Sequence, residues 1–127
     1  MSTKPHGLGK AERLSSLTAV RRLFEDGASG FVYPFRYTIL IEESTSPTVE
    51  VLFSVPKRNH KRANRRNLLR RRTKEAYRLA KEGLVAAAAT RGKSIDMALV
   101  YSSKDVLPYK TIEHAVEHIL QEVVERC

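Results

Sequence analysis

Twelve Lys and Arg residues and a single acid, Glu75, occupy the stretch KRNHKRANRRNLLRRRTKEAYRLAK at residues 57 to 81. Like charge at that density cannot enter a core, because a buried cation without a partner is strongly unfavourable. The stretch can still pack if it is a helix with its cations turned outward. On a helical wheel of ~100° per residue, Leu69, Thr73, Ala76, Leu79, Ala80 and Gly83 collect on one side. Arg66, Asn67, Arg70, Arg71, Lys74, Arg78 and Lys81 fill a broad opposite arc. Arg72 lies beside the apolar stripe and must reach around it. The pattern predicts a helix over residues 64 to 82, stopped at Gly83.

Outside this segment the chain carries 11 basic and 13 acidic residues, so the formal charge of +9 is a local property. A solvated helix face ordinarily mixes signs and gains from Glu–Lys pairs four residues apart. This face repels itself, and a polyanionic partner accounts for it. Arg outnumbers Lys in the segment by eight to four. Guanidinium forks grip phosphate oxygens in pairs and stack on bases, which an ammonium cannot do. The Asn67 amide both donates and accepts, as suits a base edge or a 2′-hydroxyl. A membrane-surface helix needs large apolar groups opposite its charge, and these are mostly small. Nucleic acid is the expected partner.

The rest of the chain predicts one domain. Its 127 residues and 42% hydrophobic content suffice for a single core. Residues 1 to 10 read as a flexible arm and residues 11 to 127 as the folded domain. A helix is expected from Ser15 or Ser16, with Leu17, Val20, Leu23 and Phe24 on one face and Gly27 at its end. Residues 31 to 43 read as strand, divided or forced to an edge by Pro34. Strands follow at 49 to 55 and 95 to 103, and residues 85 to 94 read as a connection between basic helix and strand. A last helix at 111 to 125 carries Ile112, Val116, Ile119, Leu120 and Val123 as its stripe. The fold class is α+β, with helices packed on a small sheet.

Catalytic signals are weak. His114 and His118 stand four apart on the last helix, without a third ligand or the Glu placement of a zinc-protease helix. GLGK near the start lacks the strand and the Lys-Ser/Thr of a phosphate loop. The one cysteine, Cys127, permits no internal disulfide. No h-region or run of ~20 apolar residues is visible, so a soluble, cytoplasmic protein is expected. Aromatic content of 7% without Trp offers little for an extensive stacking platform.

The basic segment resembles the signature of the bacterial ribonuclease P protein family, Arg-Asn-Arg-x-Lys-Arg-x-x-Arg-Glu-x-Phe/Tyr-Arg. The matching stretch is RNLLRRRTKEAYR. Arg66 and Asn67 take the first places, Arg70 and Arg71 the Lys-Arg pair, Lys74 and Glu75 the Arg-Glu pair, and Tyr77 and Arg78 the end. Leu68 departs from the usually basic third position. ERLSSLTAVRRLFEDG, FSVPKRN and SIDMALVYSS resemble further family segments. The resemblance implies a small mixed sheet packed with three helices in αβββαβα order. It also implies a left-handed βαβ crossover, as in the second domain of ribosomal protein S5. It implies two RNA partners, the catalytic RNA of ribonuclease P and precursor tRNA, with no membrane or DNA partner. The RNA and its Mg2+ would perform the cleavage, and the isolated protein, with no metal or catalytic residue of its own, would be inactive. Arg65, Arg66, Asn67, Arg70, Arg71, Lys74 and Arg78 would face the catalytic RNA. Val20, Phe24, Arg36, Thr38, Lys57 and Arg58 would form the cleft for the 5′ leader of precursor tRNA. Many members carry an aromatic where Val20 stands. Phe24 is open between leader stacking and core packing.

Two other readings compete. A small ribosomal or other structured-RNA-binding protein, without a role in tRNA processing, would more often spread its cations over tails and loops. A DNA reader would pair the basic helix with a helix-turn-helix partner or a zipper, and neither pattern is present.

Overall fold

The computed structural model describes residues 17–127. The flexible arm expected at residues 1 to 10, and the helix start at Ser15 or Ser16, lie outside the described residues. The elements run α1 (Leu17–Asp26), β1 (Ala28–Val32), β2 (Phe35–Glu43), β3 (Val49–Ser54), α2 (Ala63–Ala80), α3 (Glu82–Arg91), β4 (Lys93–Tyr101) and α4 (Tyr109–Arg126). Pro34 does divide the first strand run, and β1 stands at a sheet edge as proline before β2 suggested. The four strands are ordered β1-β2-β4-β3. β1 and β2, and β2 and β4, are antiparallel, while β3 runs parallel to β4. A parallel neighbour requires a long crossover, and α2 and α3 supply it.

The described residues hold four helices rather than three. Gly83 was expected to stop the basic helix, but Lys81 turns the chain while keeping helical angles (φ −74°, ψ −18°), and α3 begins at once. Gly83 falls in the first turn of α3, where backbone amides lack helical partners anyway. A run of four alanines then favours helix. Leu84 and Ala88, four apart, give α3 its buried side. The true stop is Gly92, whose left-handed φ of 65° lets its amide cap the carbonyls of Ala88 and Ala89.

Two layers of packing cover the sheet. Odd-numbered residues of β2, β3 and β4, among them Phe35, Tyr37, Val51, Met97 and Tyr101, form the main core with α2, α3 and α4. All five residues of the expected α4 stripe are buried there. From α2 the buried residues are Leu69, Thr73, Ala76 and Tyr77, whereas Leu79, expected on the packing side, is exposed. The Tyr77 ring meets Phe53 of β3 edge to face at 5.6 Å, and that contact sets the rotation of the helix. On the opposite face α1 is the one helix among the described residues. Leu23 and Ala98 are fully buried against each other there, with Val20, Leu40 and Leu52 around them. Gly27 ends α1 by close approach, since a Cβ would lie 2.4 Å from the Leu23 oxygen and 2.8 Å from that of Ile39. No helix among the described residues is long and apolar enough to cross a membrane.

Candidate nucleic-acid interface

Two surfaces meet at the turn between β3 and α2. The amides of Asn59 and His60 both bond the Pro56 carbonyl, at 3.1 and 3.3 Å, so the chain reverses tightly. Lys57 and Arg58 are exposed at the tip of that turn. His60 is buried, and its Nε2 lies 2.8 Å from the Ser103 carbonyl oxygen. A carbonyl can only accept, so the imidazole donates from Nε2. Its ring also rests against Tyr101 at 5.7 Å.

Helix α2 starts without a side-chain cap and without an acid in its first turn. Lys61, Arg62 and Arg65 are exposed at that helix start, so their cations add to the positive end of the helix dipole. Arg66 has a different occupation. Its Nη1 donates to the carbonyls of His60 (3.0 Å) and Lys61 (2.8 Å), tying the turn to the first turn of the helix. Sequence reasoning placed Arg66 on the RNA face only; this clamp was missed, because it depends on a loop conformation that no periodicity reveals.

Farther along, Asn67, Arg70, Arg71, Lys74, Glu75 and Arg78 line one open depression. Arg70 Nη1 donates to Asn67 Oδ1 at 3.1 Å, which leaves the Asn67 NH2 facing out as a donor. Arg78 grips Glu75 with both arms, Nε to Oε1 at 3.1 Å and Nη2 to Oε2 at 2.7 Å. That fork holds the Glu75 carboxyl below its ordinary range. Arg78, expected to face RNA, is thus neutralised in part by its neighbour. Lys81, placed by the wheel on the exposed arc, is 2% exposed at the joint with α3. Arg72 reaches around the helix as expected and donates to the Leu107 carbonyl at 2.6 Å.

The second surface is the α1 side of the sheet. Phe24 is 50% exposed, so it is not a core residue. Val20 packs partly against the Leu23 and Ala98 contact. Arg36 is exposed. Thr38, expected to line the cleft, is only 5% exposed. Its Oγ1 lies 3.3 Å from Ser29 Oγ, and its methyl abuts Gly27. Thr38 is therefore a wall beneath the surface, fixed there by the close passage of the α1–β1 connection.

Charge is graded along this face. At one end Glu50 and Asp96 are cross-strand partners. Burial raises both carboxyls, Glu50 further by the nearness of Asp96, while Arg22 partly offsets the rise at Asp96. Arg22 also pairs with Glu42 there. At the other end stand Arg36, Lys57 and Arg58, without a carboxylate between them in the sheet register. A polyanion is drawn to that second end and repelled from the first. On α4, His118 pairs with Glu122 at 3.4 Å. Among the described residues no group of three or more His, Cys, Asp or Glu is placed to hold a metal ion.

Comparison with known proteins agrees with this geometry. A family model described as Ribonuclease P matches residues 8–124. Two relatives from strains of Porphyromonas gingivalis, both described as a ribonuclease P protein component, are 31% identical over 115 residues. The match covers 90% of this chain and 84% of each relative. Among solved structures, the RNase P protein of Staphylococcus aureus superposes with a TM-score of 0.66 at 21% identity, covering 89% of this chain and 95% of that one. The RNase P protein of Thermotoga maritima gives 0.66 at 19% identity, covering 87% and 96%. These solved structures share the fold.

Proposed function

This chain belongs to the ribonuclease P protein family, and from that premise we propose how its two surfaces divide the work of the holoenzyme, which processes the 5′ ends of tRNA. The chain is the protein subunit, associated with ribonuclease P RNA and with tRNA substrate. Helix α2 is the docking face for the catalytic RNA. Arg65, Asn67, Arg70, Arg71 and Lys74 supply phosphate and sugar contacts. Arg66 holds the turn that presents them, and Arg78 contributes less because Glu75 already occupies its fork. The α1 side of the sheet takes the 5′ leader. Lys57, Arg58 and Arg36 hold its phosphates, Phe24 stacks on a base, and Val20 packs beneath. Bond cleavage, and the Mg2+ that serves it, are assigned to the RNA.

The observation that carries this division is the turn at residues 57 to 62. It leads from the sheet face into α2, so that one short segment belongs to both surfaces. The test is reconstitution. The protein is added to the catalytic RNA and precursor tRNA at low magnesium, beside controls lacking each component. Cleavage at the 5′ end that needs both supports the assignment, and cleavage by nuclease-treated protein alone overturns it.

A further inference from the structure

Phe31 and Tyr33, at the edge strand β1, are 54% and 53% exposed. With Phe24 they are the exposed aromatic side chains among the described residues, for Phe35, Tyr37, Tyr77 and Tyr101 are all buried. The two rings meet edge to face, with centroids 6.5 Å apart and planes at 60°. Tyr33 is held by its hydroxyl, 3.1 Å from Ser103 Oγ. Ser103 is also the residue whose carbonyl receives His60.

Register fixes the face that Phe31 occupies, and the ring contact keeps Tyr33 beside it. Ser29 and Thr38 side chains touch, so odd positions of β1 share a face with even positions of β2, the α1 side. Phe31 is paired with Arg36, Arg36 with Val100, and Val100 with Ser54. One row therefore crosses the whole sheet, three strand spacings or ~14 Å. Beyond Ser54 the chain runs directly into the Lys57 and Arg58 turn. The Leu23 contact with α1 falls on Ala98, one row back, where Thr38 and Leu52 are its partners. The row itself stays accessible, with Arg36 exposed and Val100 and Ser54 partly so.

We propose that the leader's path does not end at Phe24 and the Lys57 turn but crosses this row to the β1 edge, where Phe31 and Tyr33 stack on bases. The proposal rests on the leader-binding reading above and extends it. Aromatic faces in line with cations are the chemistry that holds single-stranded nucleic acid, because every base offers a π-face and every linkage a phosphate. Arg36 stands between the rings and the turn to meet a phosphate. The Ser103 bond fixes the Tyr33 ring in advance, which lowers the ordering cost of stacking. An exposed edge strand without a charge, as ASGFV is, could instead pair with a second copy. Arg36, Lys57 and Arg58 along the same row would repel their own copies there, and they favour the polyanion.

The experiment uses holoenzyme and precursors whose leaders grow by single nucleotides. Wild-type protein gains affinity as the leader lengthens. In a Phe31→Thr, Tyr33→Thr variant, which keeps strand-favouring residues, the last of those gains is lost, a drop of about tenfold or more. Binding of mature tRNA and of short-leader precursors is unchanged. A 4-thiouridine scan of the leader, cross-linked in wild-type holoenzyme, requires no variant and should reach Phe31 or Tyr33. A folded variant with the full leader-length gain overturns the proposal, as do cross-links confined to α1 and the Lys57 turn. So does a variant whose only change is loss of a dimer in sedimentation. A parallel Lys57→Ala, Arg58→Ala variant separates the two levels. If it loses leader dependence while the aromatic variant does not, only this extension fails; if neither loses it, the leader reading fails too.

Discussion

Arg66 Nη1 lies 3.0 Å from the carbonyl oxygen of His60, six residues earlier, and so a cation of the basic helix α2 also closes the turn that precedes it. Arg66→Ala should therefore do two things. It should lower stability by roughly 1–3 kcal/mol, the loss of a charged donor's bonds to one part-buried and one exposed carbonyl. It should also weaken RNA assembly. Arg71→Ala, at an exposed position, should weaken assembly with a melting temperature close to wild type. Thermal melts beside RNA titrations check both, and equal melting of the two variants would show that the clamp carries no stability.

Salt dependence reads the number of phosphates engaged. With about four to six neutralised, log K for RNA falls against log[salt] with a slope of roughly −3 to −5. Replacing Arg70 and Arg71 together should flatten it by up to about two units. Arg78→Ala should change it little, because Glu75 already balances that charge, whereas Glu75→Gln should steepen it by releasing the guanidinium.

Neighbouring α1 residues should respond oppositely. Leu23→Ala empties a fully buried site and should cost about 3–5 kcal/mol. Phe24→Ala, half in water, should cost much less and act on substrate. The loss of one base stack, about 1–3 kcal/mol, should appear in precursor binding and not in binding of mature tRNA. A large melting loss in Phe24→Ala would return that ring to the core.

Tyr37 donates its hydroxyl to Glu122 Oε1 at 2.6 Å, joining β2 to α4. The bond pushes the Tyr37 phenol above its ordinary 10.0 and, with help from His118, holds the Glu122 carboxyl below 4.5. Folding thus binds the Glu122 proton less tightly and the Tyr37 proton more tightly. The stability from Glu122 is present above pH 4.5 and disappears as pH falls through its lowered value; that from Tyr37 is present below pH 10.0 and disappears as pH rises through its raised one. Tyr37→Phe should cost about 1 kcal/mol at neutral pH, since Glu122 is partly solvated. It should also flatten the acid limb of a denaturation series; an acid limb identical to wild type would count against the bond.

The basic face of α2 and the stripe of α4 were legible because charge and apolarity recur there at helical spacing. The strands were legible from β-branched runs punctuated by Pro34. Helix α3 was not, because Gly83 mimics a stop and a run of small residues has no contrast to read. The exchange of Leu79 for Tyr77 on the packed side of α2 needed Phe53, a partner on another element. Thr38 looked like a cleft residue until register and the Gly27 approach put it underneath. Phe31 and Tyr33 carried a signal, two aromatics at alternate positions beside Pro34, but only the sheet register and the ring contact show which side they share.

The turn at residues 57 to 62 also bears on how two ligands are held at once. When one ligand already sits on a protein, a second surface rigidly joined to the first meets its own ligand at a local concentration set by the stiffness of the joint. Here the joint is short and fastened from both directions, by His60 to Ser103 and by Arg66 to the carbonyls behind it. Loosening it, without touching any group that contacts RNA, would leave each partner's separate affinity in place and dissolve only the advantage of meeting them together.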